Sequence, residues 1–151
     1  MALWFNRLGK TMQLGFVSAI LEDQPLDEVL RFAAGEGYDC VEVLCWPPGG
    51  PDRKYGGARA LFAKHGVGPS ALGYYSVPLS ADREQAEGAI AHLPKVIDAA
   101  AMLGLSTINS FVGANHTLSV EQNLELFAQV WPPLVAYAEE RGVRIAIETC
   151  P

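Results

Sequence analysis

Short apolar runs, most of them rich in β-branched residues, alternate along the chain with longer amphipathic stretches that glycine usually ends. The apolar runs predict five strands, at about 13–17, 40–44, 67–73, 106–111 and 143–147. The stretches between them predict four helices, at about 25–35, 57–65, 81–103 and 119–141. Strict alternation of strand and helix is typical of a parallel sheet.

Capping and breaking residues set the predicted helix ends. Pro25 suits the first turn of a helix, and Gly37 can supply the left-handed residue that follows its end. Ser119 and Gln122 have the spacing of a capping box. Pro94 predicts a kink in the third helix, and the Trp131-Pro-Pro133 sequence predicts a bend or break in the fourth.

Two architectures fit this alternation. A doubly wound sheet of flavodoxin type has nearly this length, but it normally ends in a helix and often carries a glycine-rich phosphate loop after its first strand. Gly15-Phe-Val-Ser-Ala-Ile20 is not such a loop. A (β/α) barrel also fits, although a complete one takes roughly 250 residues, so five strands and four helices would be a partial barrel.

The end of the chain favours the barrel. Arg141-Gly-Val-Arg-Ile-Ala-Ile-Glu-Thr-Cys-Pro151 resembles the fifth-strand motif of sugar phosphate isomerases and epimerases in the xylose isomerase-like TIM barrel superfamily. Gly37-Tyr-Asp-Cys-Val-Glu-Val43 is similar to the second strand of that family. The resemblance implies an α/β fold, a partial barrel of five parallel strands and four helices. Residues 1–12 are then a lead-in, and residues 13–151 are the N-terminal portion of the barrel domain.

Glu148 is the main candidate for chemistry, because barrel active sites lie at the carboxyl ends of the strands. In the resembled family this glutamate binds a divalent metal and can move a proton next to a carbonyl. Oxygen ligands suit Mn²⁺ or Mg²⁺, with Co²⁺ or Zn²⁺ as alternatives. The other family ligands, an Asp, a His and a second Glu, come from later strands. We therefore expect metal binding only if those ligands are supplied, and an inactive chain otherwise.

Aromatic and carboxylate side chains near other strand ends are candidates for substrate binding. Alternation with Val41 and Val43 predicts that Glu42 faces the barrel interior, either as a substrate contact or as a structural polar residue. Trp46, Tyr75 and Phe16 follow or end strands and could form pocket walls, as could Tyr74, although aromatic residues in loops also commonly cap a core.

The fourth strand and its loop add Asn109 and His116, which could hydrogen-bond a substrate hydroxyl or phosphate. A single loop histidine is, alternatively, an exposed side chain without a role. His65 and His92 fall on predicted helices, and we interpret both as surface residues.

Composition narrows the possible functions. Half of the 151 residues are apolar, and the formal net charge of −6 argues against a nucleic-acid partner. No apolar run reaches the length of a membrane span. Three cysteines, Cys40, Cys45 and Cys150, form no disulfide framework, which is typical of reduced thiols in a cytoplasmic protein.

The family resemblance implies a divalent-metal-dependent isomerase or epimerase that acts on a small sugar or sugar phosphate. A barrel of endonuclease IV type is an alternative, but it would need histidines at strand ends that this chain lacks. The others are a flavodoxin-like binding module and a truncated, non-catalytic half-barrel. Open sheet edges promote association, so we also expect a homo-oligomer.

Overall fold

The computed structural model describes residues 12–45 and 50–148, with the side chains of 50–56 left out. The predicted lead-in up to residue 11, the candidate Trp46 and Cys150 lie outside the described residues. The strands are β1 (Gly15–Val17), β2 (Cys40–Leu44), β3 (Gly68–Tyr74), β4 (Thr107–Phe111) and β5 (Arg144–Glu148). The helices are α1 (Leu26–Gly35), α2 (Gly50–His65), α3 (Arg83–Leu103) and α4 (Val120–Glu139), and a short 3-10 helix covers Ser18–Leu21.

The strands form one parallel sheet in the order β1-β2-β3-β4-β5. A flavodoxin-like sheet has a different order, because its first strand lies inside the sheet. Right-handed connections between strands in sequential order place every helix on the same face. The described part of the chain is therefore a partial (β/α) barrel of five parallel strands and four helices, as predicted.

Helices cover one face of the sheet, which we call the covered face. Within residues 12–45 and 50–148, no α-helix lies on the other face, which we call the open face. Val41, Val43, Leu72 and Ile108 are buried on the covered face, where they join a core with residues from all four helices. Alternate strand positions point the other way, and there Asn109 is half-buried and Glu148 exposed. The open face thus presents polar groups to solvent.

Most predicted boundaries agree with the structure within two residues, and the predicted capping box is confirmed. The Ser119 side chain accepts from the backbone of Gln122, whose side chain in turn accepts from the Ser119 backbone. Of the bend or break predicted at Trp131-Pro-Pro133, the break is wrong, because α4 runs through both prolines. Both prolines are exposed, whereas Trp131 is buried and donates its indole N–H to the Val112 carbonyl. This packing holds the helix together where backbone hydrogen bonds are lost.

Helices α3 and α4 are cross-linked near the end where α4 returns to the sheet. Tyr137 donates its hydroxyl proton to the Asp98 carboxylate at 3.0 Å. Arg141 also donates to Asp98, and its guanidinium lies 3.3 Å from the centroid of the Tyr137 ring. The three side chains tie two neighbouring helices together through a cation, an anion and an aromatic ring.

Helices α1 and α2 are tied together in a similar way. Asp27 accepts from the Lys64 ammonium group at 2.8 Å and is hydrogen-bonded to His65 at 2.7 Å. The predicted surface position of His65 and His92 is therefore wrong, because both are half-buried and His92 packs its ring against Tyr74. Among the described residues, no helix is both long and apolar enough to cross a membrane.

Candidate active site

Four polar side chains meet on the open face near the carboxyl ends of the strands, an edge that we call the rim. Glu42 comes from β2, Tyr75 directly follows β3, Asn109 belongs to β4, and Glu148 ends β5. The register explains the meeting, since Asn109 is paired with Gly73, and Phe111 with Glu148. We refer to Glu42, Tyr75, Asn109 and Glu148 as the rim cluster. All four residues could be named as candidates from the sequence, but their contacts could not.

Hydrogen bonds connect the rim cluster from one side to the other. The Tyr75 hydroxyl lies 2.5 Å from Oε1 of Glu42 and 2.7 Å from Oε1 of Glu148. Asn109 donates from its side-chain amide to Oε2 of Glu42 at 2.7 Å. The alternation that predicted an inward Glu42 is confirmed, and both of its carboxylate oxygens have a partner.

The Tyr75 hydroxyl stays protonated in this arrangement and acts as a hydrogen-bond donor. Burial raises the pKa of its hydroxyl well above the usual value, and the hydrogen bonds to Glu42 and then Glu148 raise it further. A phenol carries one proton, so Tyr75 can donate to only one of the two carboxylates at a time. Two carboxylates thus share this one donor, and a cation near the rim would be attracted to them.

Two residues that the sequence analysis did not single out shape the cluster. Gly73 leaves the space that Glu42 and Tyr75 occupy, because a Cβ at this position would meet Oε1 of Glu42 and the Tyr75 ring. The Phe111 ring packs against that of Tyr75, with 4.8 Å between ring centroids. The alternation of Asn109 with Phe111 in the fourth strand is the sequence signal that could have identified the aromatic neighbour.

The remaining candidates do not join the rim cluster in the described structure. Phe16 lies on the covered face, where its ring packs edge-on against Phe32 and Tyr38, and this corrects the prediction that it forms a pocket wall. Tyr74 is buried on the same face. His116 is exposed in the loop between β4 and α4, which the Asn123 side chain braces.

Glu148 has the chemistry and position of a metal ligand, but it is a single ligand. Its carboxylate is exposed at the rim, and among the described residues it bonds only to Tyr75 through one oxygen. No group of three or more potential ligands exists within residues 12–45 and 50–148. The described residues thus fit one position of a divalent site, and any further ligands must come from elsewhere.

Solved structures with the same arrangement confirm the fold. The IolI protein with a bound zinc atom aligns with a TM-score of 0.69 at 21% identity, over 90% of this chain and 51% of that one. The D-psicose 3-epimerase of Clostridium cellulolyticum H10 with D-tagatose aligns at 0.72 and 17% identity, over 90% and 52%. A xylose isomerase-like TIM barrel protein of Mycobacterium smegmatis with magnesium aligns at 0.69 and 18%, over 91% and 55%.

The chain spans about half the length of these structures, so their fold extends beyond the five strands described. Their low sequence identity shows the fold alone. No functionally curated protein matches the chain. The family model described as xylose isomerase-like TIM barrel matches residues 30–151, most of the sequence. The chain therefore belongs to the xylose isomerase-like TIM barrel family.

Proposed function

We propose that this chain provides the catalytic carboxylate of a divalent-metal-dependent isomerase or epimerase that acts on a small sugar or sugar phosphate. The observation that carries the proposal is the place of Glu148, an exposed carboxylate at the rim with one oxygen held by Tyr75. Family membership supports the reaction class, since related barrels include an epimerase solved with a ketose.

The proposed chemistry is a proton transfer next to a carbonyl. Glu148 removes the proton from the carbon beside the carbonyl, and the electron pair of that C–H bond moves toward the carbonyl oxygen. Return of a proton to the same carbon from the other face gives an epimer. Return of the proton to the former carbonyl carbon gives an isomer, and the hydroxyl proton of the first carbon then moves to the former carbonyl oxygen, so that the first carbon becomes the carbonyl. A divalent cation bound with Glu148 as one ligand would polarise the carbonyl oxygen. Relatives with zinc and with magnesium support a cation of this kind.

The other members of the rim cluster suit substrate binding. Glu42, Tyr75 and Asn109 offer two acceptor oxygens, a hydroxyl and an amide within one patch, which matches the alternating donors and acceptors of a polyol. Phe111 adds an apolar ring beside them, against which sugar C–H groups can pack. We keep His116 and Trp46 as proposed substrate contacts from neighbouring loops. Phe16 is not part of the proposal.

Hydrogen exchange tests the role of Glu148. The protein, in the oligomeric form in which it is isolated, is incubated in D₂O with Mn²⁺ and a panel of ketoses and ketose phosphates. NMR then follows deuterium entering at the carbon beside the carbonyl. Because a general base contributes about 10²-fold or more, Glu148→Gln should slow the exchange by at least that factor.

A matched variant separates this effect from a general change of charge. Glu139→Gln alters an exposed glutamate on α4 and should exchange deuterium at the wild-type rate. Equal rates for wild type and Glu148→Gln, or no exchange by the wild-type oligomer with any ketose, would contradict the proposal. Turnover by a purified monomer would contradict the need for ligands from elsewhere.

A second candidate is a non-catalytic component that self-associates. β1 pairs only with β2, and β5 only with β4, so both outer edges of the described sheet are open. Apolar side chains near these edges are exposed, among them Leu14 at 62% and Ile147 at 41%. Open edges and exposed apolar groups favour contact with another chain. This candidate predicts an oligomer in which Glu148→Gln changes nothing measurable.

A further inference from the structure

From the contacts of the rim cluster we infer that Tyr75 is a positioning residue for Glu148. Glu42 and Asn109, in turn, hold Tyr75 in place. The inference rests on the proposed function, because it concerns the same carboxylate. It adds the means by which this chain fixes the direction of that carboxylate.

Glu148 needs an external restraint to keep one orientation. It is exposed at the end of an outer strand, and a glutamate side chain has three torsions that it can change freely in solvent. Within residues 12–45 and 50–148, the hydrogen bond from Tyr75 at 2.7 Å is its one side-chain restraint. That bond engages Oε1, which leaves Oε2 available to other groups.

Tyr75 is well suited to provide this restraint. Its ring is half-buried and packs against Phe111, and a tyrosine has only two side-chain torsions, so little freedom is lost when it is fixed. Its hydroxyl lies 2.7 Å from Oε1 of Glu148 and can donate to it. A rigid donor beside a mobile carboxylate fixes the carboxylate rather than the reverse.

Glu42 and Asn109 form the other side of the restraint. Glu42 lies in the middle of β2, and its two oxygens contact the Tyr75 hydroxyl at 2.5 Å and the Asn109 amide at 2.7 Å. The contacts lead from Asn109 in β4 to Glu42 in β2, and then to the Tyr75 hydroxyl after β3, whose single proton Glu42 shares with Glu148 in β5. The orientation of Glu148 is thus coupled to three other strands of the sheet, in the way that outer groups commonly orient metal ligands.

Carboxyl carbon NMR with Mn²⁺ as the probe tests this inference without requiring turnover. The full chain is labelled with ¹³C at the glutamate carboxyl carbons, and the Glu148 resonance is assigned by its loss in Glu148→Gln. Paramagnetic Mn²⁺ broadens the resonances of carboxylates that it contacts, even when binding is weak. In the wild type, Glu148 should broaden at a lower Mn²⁺ concentration than the exposed Glu139.

Tyr75→Phe keeps the ring and removes the hydroxyl. It should shift the Glu148 carboxyl resonance and raise the Mn²⁺ concentration needed to broaden it by about 10-fold or more, the usual effect of removing a group that orients a ligand. Tyr74→Phe is the matched control, because it removes the hydroxyl of the preceding tyrosine, which lies on the covered face. This control should leave both readings of Glu148 at wild-type values.

The outcomes separate the inference from the proposed function. An unchanged Glu148 resonance and an unchanged broadening in Tyr75→Phe would overturn the positioning role, whether or not Glu148 binds Mn²⁺. If wild-type Glu148 broadens no earlier than Glu139, the metal role fails, and the carboxyl shift in Tyr75→Phe alone decides the inference. Glu42→Gln is a second variant that leaves Tyr75 intact. Because its neutral amide competes less for the single Tyr75 proton, it should shift the Glu148 resonance in the direction opposite to that of Tyr75→Phe. No shift in Glu42→Gln would remove Glu42 from the restraint.

Discussion

The substitution Gly73→Ala tests the packing of the rim cluster. A Cβ at this position would meet Oε1 of Glu42 and the ring of Tyr75. Neither group can move away without weakening the 2.5 Å contact between them. Gly73→Ala should therefore loosen the Tyr75–Glu42 hydrogen bond while leaving the backbone of β3 in place.

The magnitude follows from two opposing effects. A hydrogen bond to a charged group contributes roughly 1.5–3 kcal/mol, and the lower end applies because both groups are only half-buried. Replacing glycine by alanine in an extended backbone returns about 0.4–1 kcal/mol by restricting the unfolded chain. The free energy of unfolding should thus fall by about 1 kcal/mol. For a chain of this size, that corresponds to a melting temperature lower by about 2–4 °C.

Urea unfolding followed by circular dichroism measures this change. Gly68→Ala is the matched control, since it lies in the same strand and its added Cβ would come no closer than 3.7 Å to the Asp39 carbonyl oxygen. In a Glu42→Ala background, the penalty of Gly73→Ala should shrink, because one of the two obstructing groups is gone. The reasoning is refuted if Gly73→Ala is as stable as Gly68→Ala, or if the penalty is the same in both backgrounds.

Two further predictions concern pH and assembly. The hydrogen bonds from Lys64 and then His65 lower the pKa of Asp27, so their stabilising effect is present above the usual aspartate pKa and is lost as the pH falls through the lowered one. Below about pH 4, the free energy of unfolding of the wild type should therefore fall more steeply with pH than that of Asp27→Asn. Parallel urea titrations of both proteins at several pH values measure this difference. Equal slopes of unfolding free energy against pH would contradict the prediction. Light scattering on the purified chain should give the mass of a dimer or larger assembly, because the outer strands leave open edges, and a stable monomer would contradict this.

Strand β2 and the direction of Glu42 could be predicted from the sequence for a simple physical reason. Cys40–Leu44 is an apolar run with one charged residue at its centre, and a strand period of two then places that residue opposite Val41 and Val43. Burial of the valines under the helices decides which face each side chain takes. Here local pattern and tertiary packing agree.

The contact partners in the rim cluster could not be predicted in the same way. The pairing of β2 with β3 shifts between Val41 and Val43, and a shift of one residue exchanges the two faces of a strand. No local signal reports this shift, so the sequence left open whether Tyr74 or Tyr75 faces Glu42. The bond from Tyr75 to Glu148 also joins residues 73 positions apart, and its existence depends on the order of the strands.

Short and amphipathic elements account for the errors. β1 has only three residues, too few for alternation to settle the face of Phe16, and its ring packs against Phe32 and Tyr38. The predicted surface position of His92 rests on its place on a helix, away from the catalytic face. In the structure it lies on the side of α3 that faces the sheet, where it packs against Tyr74. Both cases show tertiary contacts overriding what a residue type suggests.

The link between Asp98, Tyr137 and Arg141 has a consequence for how this scaffold can change over time. It joins α3 to α4 at the end of the layer opposite the rim, since Arg141 lies just before the start of β5. Substitutions in the loops that face a substrate do not alter the contacts between these three side chains. Mutations at the rim can therefore change specificity while the contacts at the opposite end continue to stabilise the fold. This separation helps explain why barrels host so many chemistries.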